Sequence, residues 1–167
     1  MKAVPITRIK KELQHLSQEE LVDIVLRVGK YKVENKELLT YLLFEASDED
    51  GYIEVVKEYI DEQFELVNLQ NYYYIKKSVR KILRTIKKYI KYSKLPETET
   101  ALLIHFCRKL KAMDPSYRNN TVLTNMFERQ LGLAEKTIAK SIKTIYHSTC
   151  VNLQNTPQAI TINIAKK

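Results

Sequence analysis

The sequence predicts an all-α protein: six or seven short antiparallel helices in a bundle or an irregular helical array, with a loosely held C-terminal tail. Apolar residues recur at three- and four-residue spacing along most of the chain, the period of a helix with one buried face. Capping signals precede several of these runs. Glycine (3) and proline (4) are too scarce for a turn-rich sandwich or a glycine-rich nucleotide fold. With 167 residues and 44% hydrophobic content, the chain has material for a sizeable core. We expect one helical domain over residues 1–147 and a tail over 148–167.

The elements follow in order. Residues 7–16 place Ile9, Leu13 and Leu16 on one helical face, with Thr7 able to cap. Ser17 opens a second helix: with Glu20 it forms the S-x-x-E capping box, in which each side chain accepts from the other residue's backbone N–H. Leu21, Ile24, Val25 and Val28 follow on one face, and Gly29 suits the helix end. Residues 35–46 begin at a capping Asn35 and are strongly apolar, which predicts a central place in the core. Residues 48–66 bury Ile53, Val56, Ile60, Phe64 and Val67. Pro96 opens a later helix, with Glu97 and Glu99 in the first turn where the helix dipole favours anions. Leu102, Leu103, Phe106, Leu110 and Met113 face inward, and Asp114-Pro115 ends the helix. Residues 121–131 and 134–147 read as two helices around Gly132. From Ser148 the helical period is lost, and Ile160, Ile162 and Ile164 alternate without a partner strand.

Two adjacent segments carry opposite charge. Residues 71–94 hold nine Lys or Arg and no acid; residues 45–65 hold nine acids and one lysine. On a wheel of about 100° per residue, Ile75, Val79, Ile82, Leu83, Ile86, Tyr89 and Ile90 fall on one arc. Lys76, Lys77, Arg80, Lys81, Arg84, Lys87, Lys88 and Lys91 fall on the other and are the candidate contacts for an anion or an acidic partner. Cations along one face release counterions from nucleic acid, and Tyr72, Tyr73 and Tyr74 are candidate stacking groups. The competing expectation is a charge-paired helical hairpin, since the connector 68–70 is short enough to make the two helices neighbours. Whether Glu54, Glu58, Asp61 and Glu65 face the basic arc decides between them. The formal charge of +8 favours a polyanionic partner, through association and not through fold.

The segment FERQLGLAEKTIAKSIKTI, from Phe127 to Ile145, resembles the helix-turn-helix of bacterial DNA-binding regulators. That resemblance implies a tight turn at Leu131-Gly132-Leu133 and packing by Phe127, Ile138 and Ile142. It implies base or phosphate contacts from the second helix, with Lys136 and Lys140 as the candidates beside Glu135, Thr137 and Ser141. Glu128 stands where a small residue allows close helix crossing, and Ala134 where a capping Ser or Thr is usual. The alternative is an ordinary helical hairpin broken at Gly132.

Metal and catalytic patterns are weaker. His105 with Cys107 and His147 with Cys150 supply four possible ligands, but residues i and i+2 on a helix point about 200° apart and cannot chelate together. The run Asp48 to Gly51 has Ala46 and Lys57 where a calcium loop needs carboxylates. No nucleophile elbow, HExxH or phosphate-cradling glycine loop is present. Glu54, Glu58 and Glu62 lie on a polar arc as solvated charges, and His15 has no evident partner. We therefore expect no cofactor, no metal and no catalysis. Two cysteines without CxxC spacing fit a reducing cytoplasm. The start MKAVPITRIKK has no apolar run behind it, so a secretory signal is not expected, and no segment approaches the roughly 18 apolar residues of a membrane span.

The start KKELQHLSQEELVDIVL, with ENKELLTYLLF behind it, is similar to a group of small uncharacterised all-helical bacterial proteins, and ERQLGLAEKTIAKSI resembles a late helix of that group. The resemblance covers residues 9–145 and implies no activity, cofactor or site residue. The expected function is a non-enzymatic cytoplasmic interaction protein that presents the basic helix 71–94 to an acidic protein partner. The alternative is nucleic-acid binding, through that helix or through residues 127–145.

Overall fold

The computed structural model describes residues 2–154, with side chains up to residue 142. Among the described residues it has seven α-helices and no strand. The chain divides into two compact units, Met1–Tyr52 and Ile53–Lys167.

In the first unit, α1 (Ile6–Leu13) leads to α2 (Gln18–Tyr31). The capping box forms as the sequence predicts. Ser17 Oγ accepts from Glu20 N at 3.3 Å, and Glu20 Oε2 accepts from Ser17 N at 2.8 Å. The hydrogen bond from the Ser17 backbone, joined by the one involving its side chain, holds the Glu20 carboxyl below its ordinary pKa. Gly29 does not end α2, which continues to Tyr31. Its role is a close approach: a Cβ there would lie 2.8 Å from Leu39 Cδ1. Asn35 does not cap a helix either. It lies inside α3 (Val33–Thr40), and its Nδ2 donates to Val28 O at 2.9 Å, satisfying a carbonyl in the last turn of α2.

The expected central position of residues 35–46 is not found. A π-helical turn follows α3 over Tyr41–Glu45, closed by the bond from Ala46 N to Tyr41 O at 2.9 Å. Only Tyr41 of that turn is buried. Its hydroxyl donates to Glu49 Oε2 at 2.8 Å, and its ring lies 4.7 Å from that of Tyr52. Leu43 and Phe44 are 68% and 71% exposed. The widened turn rotates successive residues differently from an α-helix, so an apolar run read at α spacing loses its common face.

Asp48 Oδ1 accepts from Gly51 N and sets the start of α4 (Glu49–Glu65), whose residues from Ile53 onward belong to the second unit. Next come α5 (Tyr72–Ser93) and α6 (Pro96–Ala112), the latter with Pro96 in its first turn and Glu97 and Glu99 beside it. A 3₁₀ turn at Tyr117–Asn119 leads into α7 (Thr121–Gln154). The core is built around α6, whose Leu102, Leu103, Phe106 and Leu110 are almost wholly buried. Rings join the elements: Phe64 with Phe106 at 5.8 Å, Tyr59 with Tyr89 at 5.7 Å, and Tyr117 stacked on Phe127 at 4.7 Å. Ile60, Ile75, Val79, Ile86 and Leu123 are likewise enclosed.

The break expected at Gly132 is absent. α7 runs through that residue without a positive φ, and a Cβ there would meet nothing within 4 Å. Leu123, Phe127, Gln130, Ala134 and Thr137 follow each other at helical spacing. Leu123, Gln130 and Ala134 are buried, Phe127 stacks on Tyr117, and Thr137 Oγ1 donates to Glu99 Oε2 at 3.3 Å. One continuous stripe packed on α6 holds the helix together across the glycine. The interior-glycine penalty of about 1 kcal/mol is small beside that burial. The helix also continues past residue 147, to Gln154, where loss of helical period was expected from Ser148. The rest of the expected tail 148–167, from residue 155 on and including Ile160, Ile162 and Ile164, lies outside the described residues, as do the side chains of His147 and Cys150.

Candidate polyanion-binding face

The rotation of α5 about its axis is set at both ends and along its length. Asn71 caps it, with Oδ1 accepting from Tyr73 N at 2.9 Å and Tyr74 N at 3.3 Å. Tyr72 donates its hydroxyl to Ser116 O at 2.9 Å, tying the helix start to the segment before α7. Ile75, Val79, Ile82, Leu83 and Ile86 are buried. At the far end Lys94 takes a left-handed conformation, φ 60°, and its N–H donates to Ile90 O.

With the stripe inside, the predicted cations face outward. Lys77, Arg80, Lys81, Arg84, Lys87 and Lys91 are exposed, while Lys76 and Lys88 are half-buried. Lys88 Nζ lies 5.1 Å from the Tyr89 ring centroid. Among the described residues, Lys76, Lys77, Arg80, Lys81, Arg84, Lys87 and Lys91 form no ion pair.

The acids of α4 are engaged elsewhere or face solvent. Glu54 pairs with Lys57 one turn away at 2.7 Å. Asp61 turns to α6, where its Oδ1 accepts from His105 Nε2 at 2.6 Å and from Lys109 Nζ at 3.3 Å. Burial opposes ionisation of Asp61, but the hydrogen bonds and charges of His105 and Lys109 outweigh it and hold the carboxyl below its usual range. Glu58 and Glu65 are exposed and make no ion pair among the described residues. Among the described residues, none of Glu54, Glu58, Asp61 and Glu65 pairs with Lys76, Lys77, Arg80, Lys81, Arg84, Lys87 or Lys91.

A magnitude explains why α5 tolerates an unneutralised face. Cations one turn apart, about 6 Å, repel by about 0.7 kcal/mol in water and less in salt. Burial of each large apolar side chain in the stripe contributes about 1.5–3 kcal/mol. Five such residues outweigh the repulsion, so the helix needs no acidic neighbour to persist.

Two concave surfaces border this face. One depression is lined by Tyr73, Lys76, Lys77, Arg80, Lys81 and Arg84. Tyr73 is 67% exposed, and its ring meets that of Tyr74 edge-on at 5.4 Å. The second is a groove of about 800 Å³ between α5 and α7. Arg80, Arg84, Lys87, Lys88 and Lys91 line its α5 wall, and Arg129 lies on its α7 side. Leu83, Met126 and Gln130 also line it, and Gln130 is 2% exposed. Sequence reasoning missed Arg129 and Gln130, because nothing in linear spacing places residue 129 beside residues 80–91.

The other candidates separate. Without a turn at Gly132, residues 127–145 form no helix-turn-helix, and the implied packing residues Ile138 and Ile142 are exposed at 39% and 47%. Lys136 and Lys140 lie on the exposed side of α7 and do not line the α5/α7 groove. Cys107 is buried beside Phe127 O at 3.8 Å, whereas His105 faces Asp61. Burial pushes the Cys107 thiol up to about 11. Among the described residues no three His, Cys, Asp or Glu side chains gather as a metal site, and no helix is long and apolar enough to cross a membrane.

Comparison with known proteins finds no family model, no curated protein and no solved structure that matches this chain.

Proposed function

We propose that this protein is a non-enzymatic binding protein that presents α5 to a polyanion, and that the polyanion is nucleic acid. The observation that carries the reading is the face of α5, where seven of the predicted cations have no acidic partner among the described residues. From Lys76 to Lys91 the face extends about 22 Å at 1.5 Å per residue, which suits a repeating anion better than a single small one. The exposed Tyr73 ring beside Lys76 and Lys77 favours nucleic acid over an acidic protein. Bases offer stacking surfaces next to phosphates, and an acidic peptide does not. A cytoplasmic setting fits the buried, unpaired Cys107.

The test is fluorescence anisotropy with labelled oligonucleotides across a salt series. Binding should weaken as salt rises, with a log–log slope of about −4 to −6 for six or seven phosphate contacts. A variant reversing Lys77, Lys81, Arg84 and Lys88 to Glu should lose binding while keeping its helical circular dichroism. No binding at low salt would overturn the proposal. Equal affinity for poly-glutamate of the same charge would overturn its nucleic-acid half.

A further inference from the structure

Resting on the nucleic-acid reading, we propose that the α5/α7 groove is the seat of a single strand, with its phosphates between the α5 cations and Arg129 and a base over Leu83, Met126 and Gln130. A duplex presents its phosphates on a convex outside and keeps its base edges paired. Its paired bases turn no ring face toward apolar side chains such as Leu83 and Met126. A single strand carries the same phosphates on a flexible backbone and turns free bases toward the protein.

The lining matches that division. Cations stand on both sides of the groove: Arg80, Arg84, Lys87 and Lys91 on α5, and Arg129 on α7. Between them Leu83 and Met126 supply apolar surface for a base ring. The groove also shares Arg80 and Arg84 with the depression that holds Tyr73. One cationic track therefore runs from an exposed aromatic ring into the groove, the combination that single-strand binders use.

Gln130 adds an independent observation. Its Nε2 donates to Met126 O at 3.4 Å, while its buried Oε1 has no hydrogen-bond partner. The bond to Met126 sets the orientation of the amide, since a flipped amide would oppose two carbonyl oxygens. A buried acceptor without a donor costs about 1–3 kcal/mol, so its retention at a groove wall calls for a partner. The ring or amino N–H of an unpaired base is such a donor. Gln130 lines the groove.

The experiment compares a labelled single-stranded 12-mer, the same strand without bases, and a hairpin duplex. Wild-type protein should bind the base-bearing strand tightest. Arg129→Ala should weaken that strand about tenfold and leave the duplex unchanged. Gln130→Met keeps the volume and removes the unmet acceptor. It should fold at least as well as wild type and should narrow the gap between base-bearing and abasic strands. Equal affinity for strand and duplex, with Arg129→Ala lowering both alike, would overturn the groove as a single-strand seat while leaving the nucleic-acid reading standing. Failure of all three probes to bind at low salt would overturn both.

Discussion

Replacing Gly132 with Ala tests whether α7 is one helix or two. In the structure Gly132 lies inside α7, has no positive φ, and offers a Cβ position with nothing within 4 Å. A side chain there meets no clash, so the effect reduces to backbone preference. Ala in a helix interior is favoured over Gly by about 0.8–1 kcal/mol. Part of that gain arises in the unfolded chain, which has fewer conformations to lose. The expected outcome is a stabilisation of about 0.5–1 kcal/mol, read as a higher urea midpoint at unchanged slope. In a thermal melt it is a rise of about 2–4 °C per kcal/mol. A helix-turn-helix with a left-handed glycine would give the opposite sign, because Ala at positive φ costs about 1 kcal/mol or more. Gly132→Pro adds a second reading. In a continuous helix it removes a hydrogen bond and clashes with the preceding turn, at a cost of about 3 kcal/mol. A lower midpoint for Gly132→Ala, or a neutral Gly132→Pro, would refute the continuous helix and the packed stripe from Leu123 to Thr137.

Two further predictions concern ionisable groups. With Cys150→Ser removing the other thiol, Cys107 should resist iodoacetamide at pH 8 in folded protein and react promptly in urea, because burial pushes its thiol to about 11; alkylation at the free-thiol rate without denaturant, read by mass spectrometry, would sink this. Asp61 is depressed in the folded state, so its contribution to stability is present above the unfolded aspartate pKa of about 3.9 and is lost as pH falls through the lower folded value. Asp61→Asn should therefore be less stable at pH 7 and lose less on acidification than wild type, whereas parallel stability–pH curves would show that the contact with His105 and Lys109 adds nothing.

Much of the helical content is local and was legible in the chain. The Ser17–Glu20 capping box and Pro96 at the start of α6 act within a turn of their own residues. The five-residue stripe of α5 repeats at helical period, so its cations could be placed on the outer arc before any partner was known. Legibility failed where a residue's role depends on a distant one. Gly29 looks like a helix end until Leu39 packs against it, and Gly132 looks like a turn until the stripe along α7 closes on α6. Residues 35–46 look like core, yet a π turn leaves Leu43 and Phe44 exposed.

The sequence alone determined that this is a helical protein and that one of its helices separates apolar from cationic residues, because both properties follow from spacing along a single segment. It could not determine what the cations face. Acidic and basic segments adjacent in the chain implied mutual neutralisation. The tertiary structure instead turns Asp61 toward His105 and Lys109 and brings Arg129 and Gln130 to the groove beside the basic arc. Charge in a sequence is a count, whereas charge pairing depends on distances of a few ångströms between helices. Those distances are set by which apolar faces pack together, and α6 decides that for the second unit.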